Sequence, residues 1–134
     1  MTDQQPAEVG SLYAHVPYDY GAVAPAGALL FTAGACPLDA DGKVVGVGDP
    51  VTQARVSLSN LTIALHRYGA RLADLVKTSV YVVGDRQDLV AVWEVVADGL
   101  APFRPPSTLL GVSLLGYPGQ LVEIEGVAAL PDRG

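Results

Sequence analysis

The sequence predicts a single α+β domain in which two amphipathic helices cover one face of a mixed β-sheet. Its 134 residues are the length of one domain. Two segments repeat apolar residues at helical spacing, and short β-branched runs bounded by turn residues alternate with them along the chain. Each helix is apolar on one side only, so both can be buried against one sheet face. Residues 1–134 are predicted to form this one domain, with the polar residues 1–10 disordered.

The chain is predicted to begin with a β-hairpin. A short buried strand is expected at residues 28–33, and the Asp41-Gly42 pair is typical of a hairpin turn. Residues 43–45 would then return as the partner strand, and the segment around Leu12 could add one more strand.

The first helix has clear start and stop signals. Asp49 can serve as the N-cap, and Pro50 suits the first helical position. Gly69 is a typical residue at which a helix ends. Between them, apolar residues recur at alternating steps of three and four, at Val51, Ala54, Leu58, Leu61, Leu65 and Tyr68.

The second half of the chain repeats the alternation of strand and helix. Residues 76–83 are β-branched and aromatic, which predicts a strand, and Asp85 caps a second helix. Further strands are predicted at residues 107–114 and 121–130, with a Gly- and Pro-containing loop at 115–119. The predicted order is therefore ββαβαββ, and no segment is left over to cover the second face of the sheet.

Composition favours a homo-oligomer and disfavours binding to nucleic acid. Half of the residues are hydrophobic and only 16% are charged, which exceeds what one small domain needs for its core. The surplus indicates buried subunit contacts. The formal net charge is −6 and the eight Lys and Arg residues are scattered, so no basic patch for nucleic acid is expected.

No cofactor, metal or membrane contact is predicted. One cysteine and two widely spaced histidines do not form a zinc-binding pattern, and no glycine-rich phosphate-binding motif occurs. The uncharged stretch 21–38 is broken by prolines and glycines, which suits turns better than a spanning helix. The first residues lack the basic region of a secretory signal, so a cytoplasmic location is expected.

Two carboxylates in the last predicted strand are the main candidates for chemistry. Glu123 and Glu125 are two residues apart, so they point to the same face of the strand. One of them could face a cleft and handle a water molecule or a proton. Alternatively, both could simply face solvent.

Residues just before and within the preceding strand are candidates for ligand binding. Ser107 follows a Pro-Pro pair, and its hydroxyl could bind a ligand or play a structural role. Arg104 could bind a carboxylate, or it could be solvated. Trp93 on the second helix is most simply a core residue.

The chain resembles the Rid family, the reactive-intermediate deaminases also called YjgF-like proteins. Five segments match in family order and together span most of the chain. They are GALLFTAG at 27–34, DPVTQAR at 49–55, DLVKTSVYV at 74–82, RPPSTLLGV at 104–112 and LVEIEGVA at 121–128. The resemblance implies a chorismate-mutase-like fold and a homotrimer with a small-molecule cleft between adjacent subunits.

The resemblance also implies hydrolysis of imines or enamines and assigns residues to that cleft. Tyr20 falls on the family's site tyrosine and Glu123 on the glutamate that positions water. Ser107, however, stands where the deaminases carry an arginine that binds the substrate carboxylate. Leu109 replaces a frequent cysteine and Trp93 a frequent asparagine. These differences predict a more apolar cleft.

The sequence therefore predicts a Rid-type enzyme that hydrolyses an imine, an enamine or a related reactive metabolite, with Glu123 handling the water. The loss of the arginine indicates that 2-imino acids are not its substrates. One alternative is a non-catalytic module that binds a metabolite in the same cleft. Another is an endoribonuclease, a label that some relatives carry, and the acidic net charge disfavours it.

Overall fold

A computed structural model describes residues 11–131; the predicted disorder of residues 1–10 lies outside them. The elements follow the order βαβαββ, with one short 3-10 turn at Leu72–Asp74. Their bounds are β1 Leu29–Phe31, α1 Pro50–Arg67, β2 Leu75–Val82, α2 Arg86–Leu100, β3 Ser107–Gly111 and β4 Val122–Ala129.

The four strands form one mixed sheet in the order β1-β4-β2-β3. β4 pairs antiparallel with both of its neighbours, whereas β2 and β3 are parallel. Both helices pack on one face, which confirms the predicted α+β architecture. The core between helices and sheet consists of buried residues that include Leu58, Leu61, Leu65, Val80, Val82, Val92, Val96, Val122 and Ile124.

The helix ends follow the predicted signals. The Asp49 side chain accepts a hydrogen bond from Thr52 N, and its hydrogen bonds with Thr52 lower the pKa of the Asp49 carboxyl. Asp85 caps α2 in a reciprocal capping box with Asp88. Gly69 adopts a φ of +85° just after α1, a left-handed conformation that glycine reaches without steric cost.

Three predicted strand assignments were wrong. Residues 43–45 form no strand and contribute only the isolated bridge between Leu38 and Val44. The reason is local: Asp39 Oδ1 accepts hydrogen bonds from Asp41 N and Lys43 N, which closes a compact loop instead of a ladder. No strand occurs in residues 11–28. β3 ends at Gly111 because its partner β2 ends at the paired Val82.

The face of the sheet opposite the helices is uncovered in a single protomer. It carries apolar side chains, with Phe31 exposed by 70% and Leu110 by 46%. Polar pairs lie beside them: Lys77 Nζ donates to Thr108 Oγ1 at 2.6 Å, and the Tyr81 hydroxyl donates to Glu125 Oε1 at 2.5 Å. Such a mixed face is suited to contact with another protein surface.

A buried glutamine ties α1 to two loops. Gln53 is fully buried, and its Nε2 donates to Gly46 O and to Gly119 O, each at 3.0 Å. Its Oε1 accepts from Leu121 N at 2.6 Å. One side chain thus satisfies three backbone groups and fixes the loop that leads into β4.

We expect Gln53→Leu to lower the free energy of unfolding by about 3 kcal/mol, because it leaves three backbone groups without a partner. Gln87→Leu, on the exposed start of α2, should change it by less than about 0.5 kcal/mol. Urea unfolding at a fixed protein concentration measures both. Equal free energies of unfolding of the two variants would show that the hydrogen bonds of Gln53 do not stabilise the fold.

Candidate functional site

Glu123 lies on the uncovered face of β4 and is held by two side chains. The thiol of Cys36 donates to Glu123 Oε1 at 3.2 Å. The amide Nε2 of Gln120 donates to the same oxygen, also at 3.2 Å. Its neighbours Val122 and Ile124 point the other way into the core, as the alternation of a strand requires.

A gap in the strand pairing makes room for the Glu123 carboxylate. The chain after β1 follows β4 as far as Thr32, whose N–H donates to Gly126 O at 2.9 Å. It pairs again at Ala35, which exchanges two backbone hydrogen bonds with Ile124. Between these points, a Cβ atom on Gly34 would lie 2.2 Å from Glu123 Oε2. A side chain at position 34 would therefore displace this carboxylate.

Cys36 is a hydrogen-bond donor rather than a nucleophile. Burial, followed by the hydrogen bond with Glu123 and its negative charge, raises the pKa of the thiol from 9.0 to about 11. The nucleophilic form of cysteine is the thiolate. At neutral pH, Cys36 keeps its proton and can donate a hydrogen bond to Glu123.

The position of Cys36 is set by α1. Asn60 Nδ2 donates to Cys36 O at 2.8 Å and to Leu38 O at 3.0 Å. The loop that carries Cys36 is thereby fastened to the helix, as Gln53 fastens the loop that carries Gln120.

A second candidate pocket lies at the β3 edge of the sheet. Tyr18, Trp93, Ser107, Thr108 and Leu109 line it, and none of them is charged. The rings of Tyr18 and Trp93 meet edge to face with centroids 5.9 Å apart. Trp93 and Leu109 also pack against the core. The pocket is suited to an uncharged, apolar group.

The Ser107 hydroxyl is already engaged. Its Oγ lies 2.5 Å from the Oγ1 of the buried Thr78 and donates to Pro105 O at 3.0 Å. Ser107 therefore faces the helix side of the sheet, like its strand partner Thr78. It has neither a histidine partner nor a positive charge to offer a ligand.

Arg104 binds backbone rather than an open cleft. Its guanidinium donates to Val16 O and, at 3.3 Å, to Tyr18 O, while Asp19 N donates to Arg104 O at 2.8 Å. These contacts hold Tyr18 against Trp93. Tyr20, by contrast, donates its hydroxyl to Tyr13 O at 2.7 Å.

One protomer does not bring all of the predicted site residues together. Trp93, Ser107 and Leu109 share the edge pocket. Glu123 belongs to the opposite face of the sheet, because it pairs with Tyr81 and alternates with the core residues of β4. Glu125 shares its face but is engaged by Tyr81. The two glutamates therefore differ in their surroundings, although their spacing in sequence makes them look alike.

Sequence reasoning missed three residues around Glu123: Gly34, Cys36 and Gln120. Cys36 is 87 residues away in the chain, so no local pattern links the two. Gln120 stands three residues before Glu123 in a turn, where a polar residue carries no signal of its own. Tyr18 lies beside Trp93, whereas the sequence assigned Tyr20 to the site.

A match to a known family model shows the family of this chain. The family model described as endoribonuclease L-PSP matches residues 10–130. The chain therefore belongs to this family, which is also known as the YjgF or Rid family.

Individual relatives agree with this assignment. A RutC family protein of Pyrococcus horikoshii is 33% identical over 81% of this chain and 85% of its own length. The 3-aminoacrylate deaminase RutC of Acinetobacter baylyi is 31% identical over 75% of this chain and 78% of its own. The crystal structure of the Rid family protein YyfB from Yersinia pestis superposes with a TM-score of 0.81 at 31% identity, covering 90% of this chain and 93% of that one.

The described residues contain neither a membrane-spanning helix nor a group of metal ligands. Within residues 11–131, no helix is both long and apolar enough to cross a bilayer. In the same part of the chain, no group of three or more His, Cys, Asp or Glu side chains is placed to bind a metal ion.

Proposed function

We propose that this protein is a Rid-type enzyme that hydrolyses an uncharged imine or enamine in a cleft between adjacent subunits. The observation that carries the proposal is the position of Glu123, whose carboxylate lies in a gap at Gly34 that a side chain at this position would fill. A carboxylate held in this way is suited to orienting a water molecule. Family membership and the 3-aminoacrylate deaminase among its relatives support the reaction class.

The proposed cleft needs two protomers. Within one protomer, Ser107 faces the helix side of the sheet and Glu123 faces the uncovered side. A site that includes both groups can form only if the β3 edge of one copy meets the Glu123 side of another. The uncovered apolar face provides a contact surface for such an assembly. We propose that this assembly is a homotrimer and that the protein is located in the cytoplasm.

Light scattering at micromolar concentration should give the mass of three chains of 13.9 kDa each. Replacing the exposed Phe31 of the uncovered face by aspartate should shift the mass toward that of one chain, because a charge would be buried in the contact. Val23→Asp is a matched control, since Val23 is fully exposed outside the sheet. A stable monomer for the unmodified protein would exclude an inter-subunit cleft.

The proposed reaction is hydrolysis at a C=N carbon. Glu123 accepts a proton from water as the water oxygen bonds to this carbon and the C=N electron pair moves to nitrogen. Glu123 passes this proton to nitrogen, which gives a carbinolamine. The hydroxyl proton of the carbinolamine then moves through Glu123 to the nitrogen, the C–N bond breaks, and ammonia or an amine leaves as the carbonyl forms. An enamine enters this sequence after a proton is added at carbon and one is lost from nitrogen, which gives its imine. General-base help of this kind contributes about 10²–10⁴-fold to the rate.

The substrate is proposed to lack a carboxylate next to the reacting carbon. Among residues 11–131, no charged side chain lines the pocket at Ser107, and the Arg104 guanidinium is occupied by backbone carbonyls. A carboxylate placed there would lose its water without gaining an ionic partner. Trp93 and Leu109 instead offer an apolar wall.

We expect slow turnover of 2-iminopropionate formed from 2-aminoacrylate in a coupled dehydratase assay. An imine of similar size with a methyl group in place of the carboxylate should be hydrolysed faster. An arginine-bearing Rid protein is the control and should show the opposite preference, because arginine binds a carboxylate with two parallel hydrogen bonds. Equal preference in the two proteins would remove this substrate assignment.

Glu123→Gln should lower the rate on the uncharged imine by about 10²–10⁴-fold while leaving the fold intact, because glutamine keeps the shape but accepts no proton. Glu125→Gln is the matched control: it lies two residues away on the same strand and is engaged by Tyr81. Initial rates and circular dichroism of both variants provide the test. Full activity of Glu123→Gln would exclude Glu123 as the general base, whereas no turnover of the imine by the unmodified protein would favour a non-catalytic module that binds a metabolite in the same cleft.

A further inference from the structure

We propose that Cys36 and Gln120 are positioning residues that hold Oε1 of Glu123, so that Oε2 is the oxygen that handles the water. The inference rests on the proposed function and assigns roles within the same site. It also assigns to Cys36, the single cysteine of the chain, the role of a hydrogen-bond donor.

The orientation of the Gln120 amide is fixed by its other contacts. The side chain is only 3% exposed. Its Oε1 accepts from Tyr117 N at 3.2 Å, and its Nε2 donates to Val122 O at 3.0 Å. Turning the amide over would place an oxygen against two acceptors and leave a donor facing Tyr117 N. Gln120 can therefore only donate to Glu123.

Cys36 supplies the second donor to the same oxygen. Its backbone carbonyl is held by Asn60, and the next residue, Pro37, is buried, so the thiol has little freedom to turn away. Sγ lies 3.2 Å from Glu123 Oε1 and 3.5 Å from Gly34 O. A thiol that keeps its proton can donate, whereas a thiolate would repel the carboxylate.

Two donors on one oxygen make the two carboxylate oxygens unequal. A free carboxylate exchanges its oxygens by rotation about its last bond, since this torsion is broad and two-fold. Here rotation would break both contacts to Oε1. Oε2 accepts no hydrogen bond from residues 11–131 and lies over Gly34, beside the open gap. This oxygen therefore remains available for a water molecule.

The contact can be tested without any substrate. With carbon-13 cysteine, the single Cβ signal reports the ionisation of Cys36 alone. In the unmodified protein the thiol should titrate with a pKa of about 11. Glu123→Gln removes a negative charge beside it, so the thiolate fraction at pH 10 should rise about threefold. Glu125→Gln should leave it unchanged. The same titration in all three proteins would overturn the proposal.

Kinetic measurements then show whether Cys36 and Gln120 position Glu123 or only lie near it. Cys36→Ala and Gln120→Leu should each lower kcat by about tenfold or more with little change in KM, because a misplaced base slows the chemical step. Cys36→Ser keeps a donor and should recover most of the rate, which a role in packing alone would not predict. Unchanged kcat in both variants would overturn the proposal.

The two proposals fail in different ways. Full activity in Glu123→Gln removes Glu123 from the proposed hydrolytic mechanism, whatever the thiol titration shows. An inactive Glu123→Gln together with fully active Cys36→Ala and Gln120→Leu keeps the function but removes the positioning role. Circular dichroism and light scattering on each variant exclude loss of fold or assembly as the cause.

Discussion

The geometry around Glu123 depends on two carboxamide side chains of α1. Gln53 bridges the loop at Gly46 to the segment that enters β4, and Asn60 holds the carbonyls of the loop that carries Cys36. Both amides bind backbone groups outside their own helix that would otherwise be unsatisfied in partly buried positions. The helix therefore covers the core and also sets the distance between the two loops from which Cys36 and Gln120 reach Glu123.

The two faces of the sheet differ in burial and in their proposed roles. On the helix side, Val80, Val122 and Ile124 are fully buried and supply the hydrophobic stabilisation. On the other side, the alternate residues of the same strands include the proposed catalytic Glu123 and form the proposed contact surface. The strands are held in place by their buried side chains, so the outward-facing groups stand on a rigid support. Glu123 and Glu125 share this support, yet one is held by a thiol and an amide and the other by the Tyr81 hydroxyl.

Much of the fold could be predicted because its signals are local. The caps at Asp49 and Asp85, the stop at Gly69 and the apolar stripe of α1 all act within one or two turns of helix. Strand limits were harder to predict because a strand ends where its partner ends. Residues 43–45 and 112–114 look like strands by composition, but a local loop closed by Asp39 and the end of β2 decide otherwise.

By itself, the sequence determined the α+β class and the helix positions, because spacing and capping depend on neighbours in the chain; the resemblance to the Rid family predicted a site role for Glu123. Only the tertiary structure decided what surrounds that glutamate. Cys36 comes from a loop fastened to α1, Gly34 from a gap in the pairing between β1 and β4, and Gln120 from a turn oriented by buried hydrogen bonds. The hydrogen bond from Cys36 to Glu123 joins residues 87 positions apart. The distances of these contacts are set by packing of the whole domain, which no local pattern encodes.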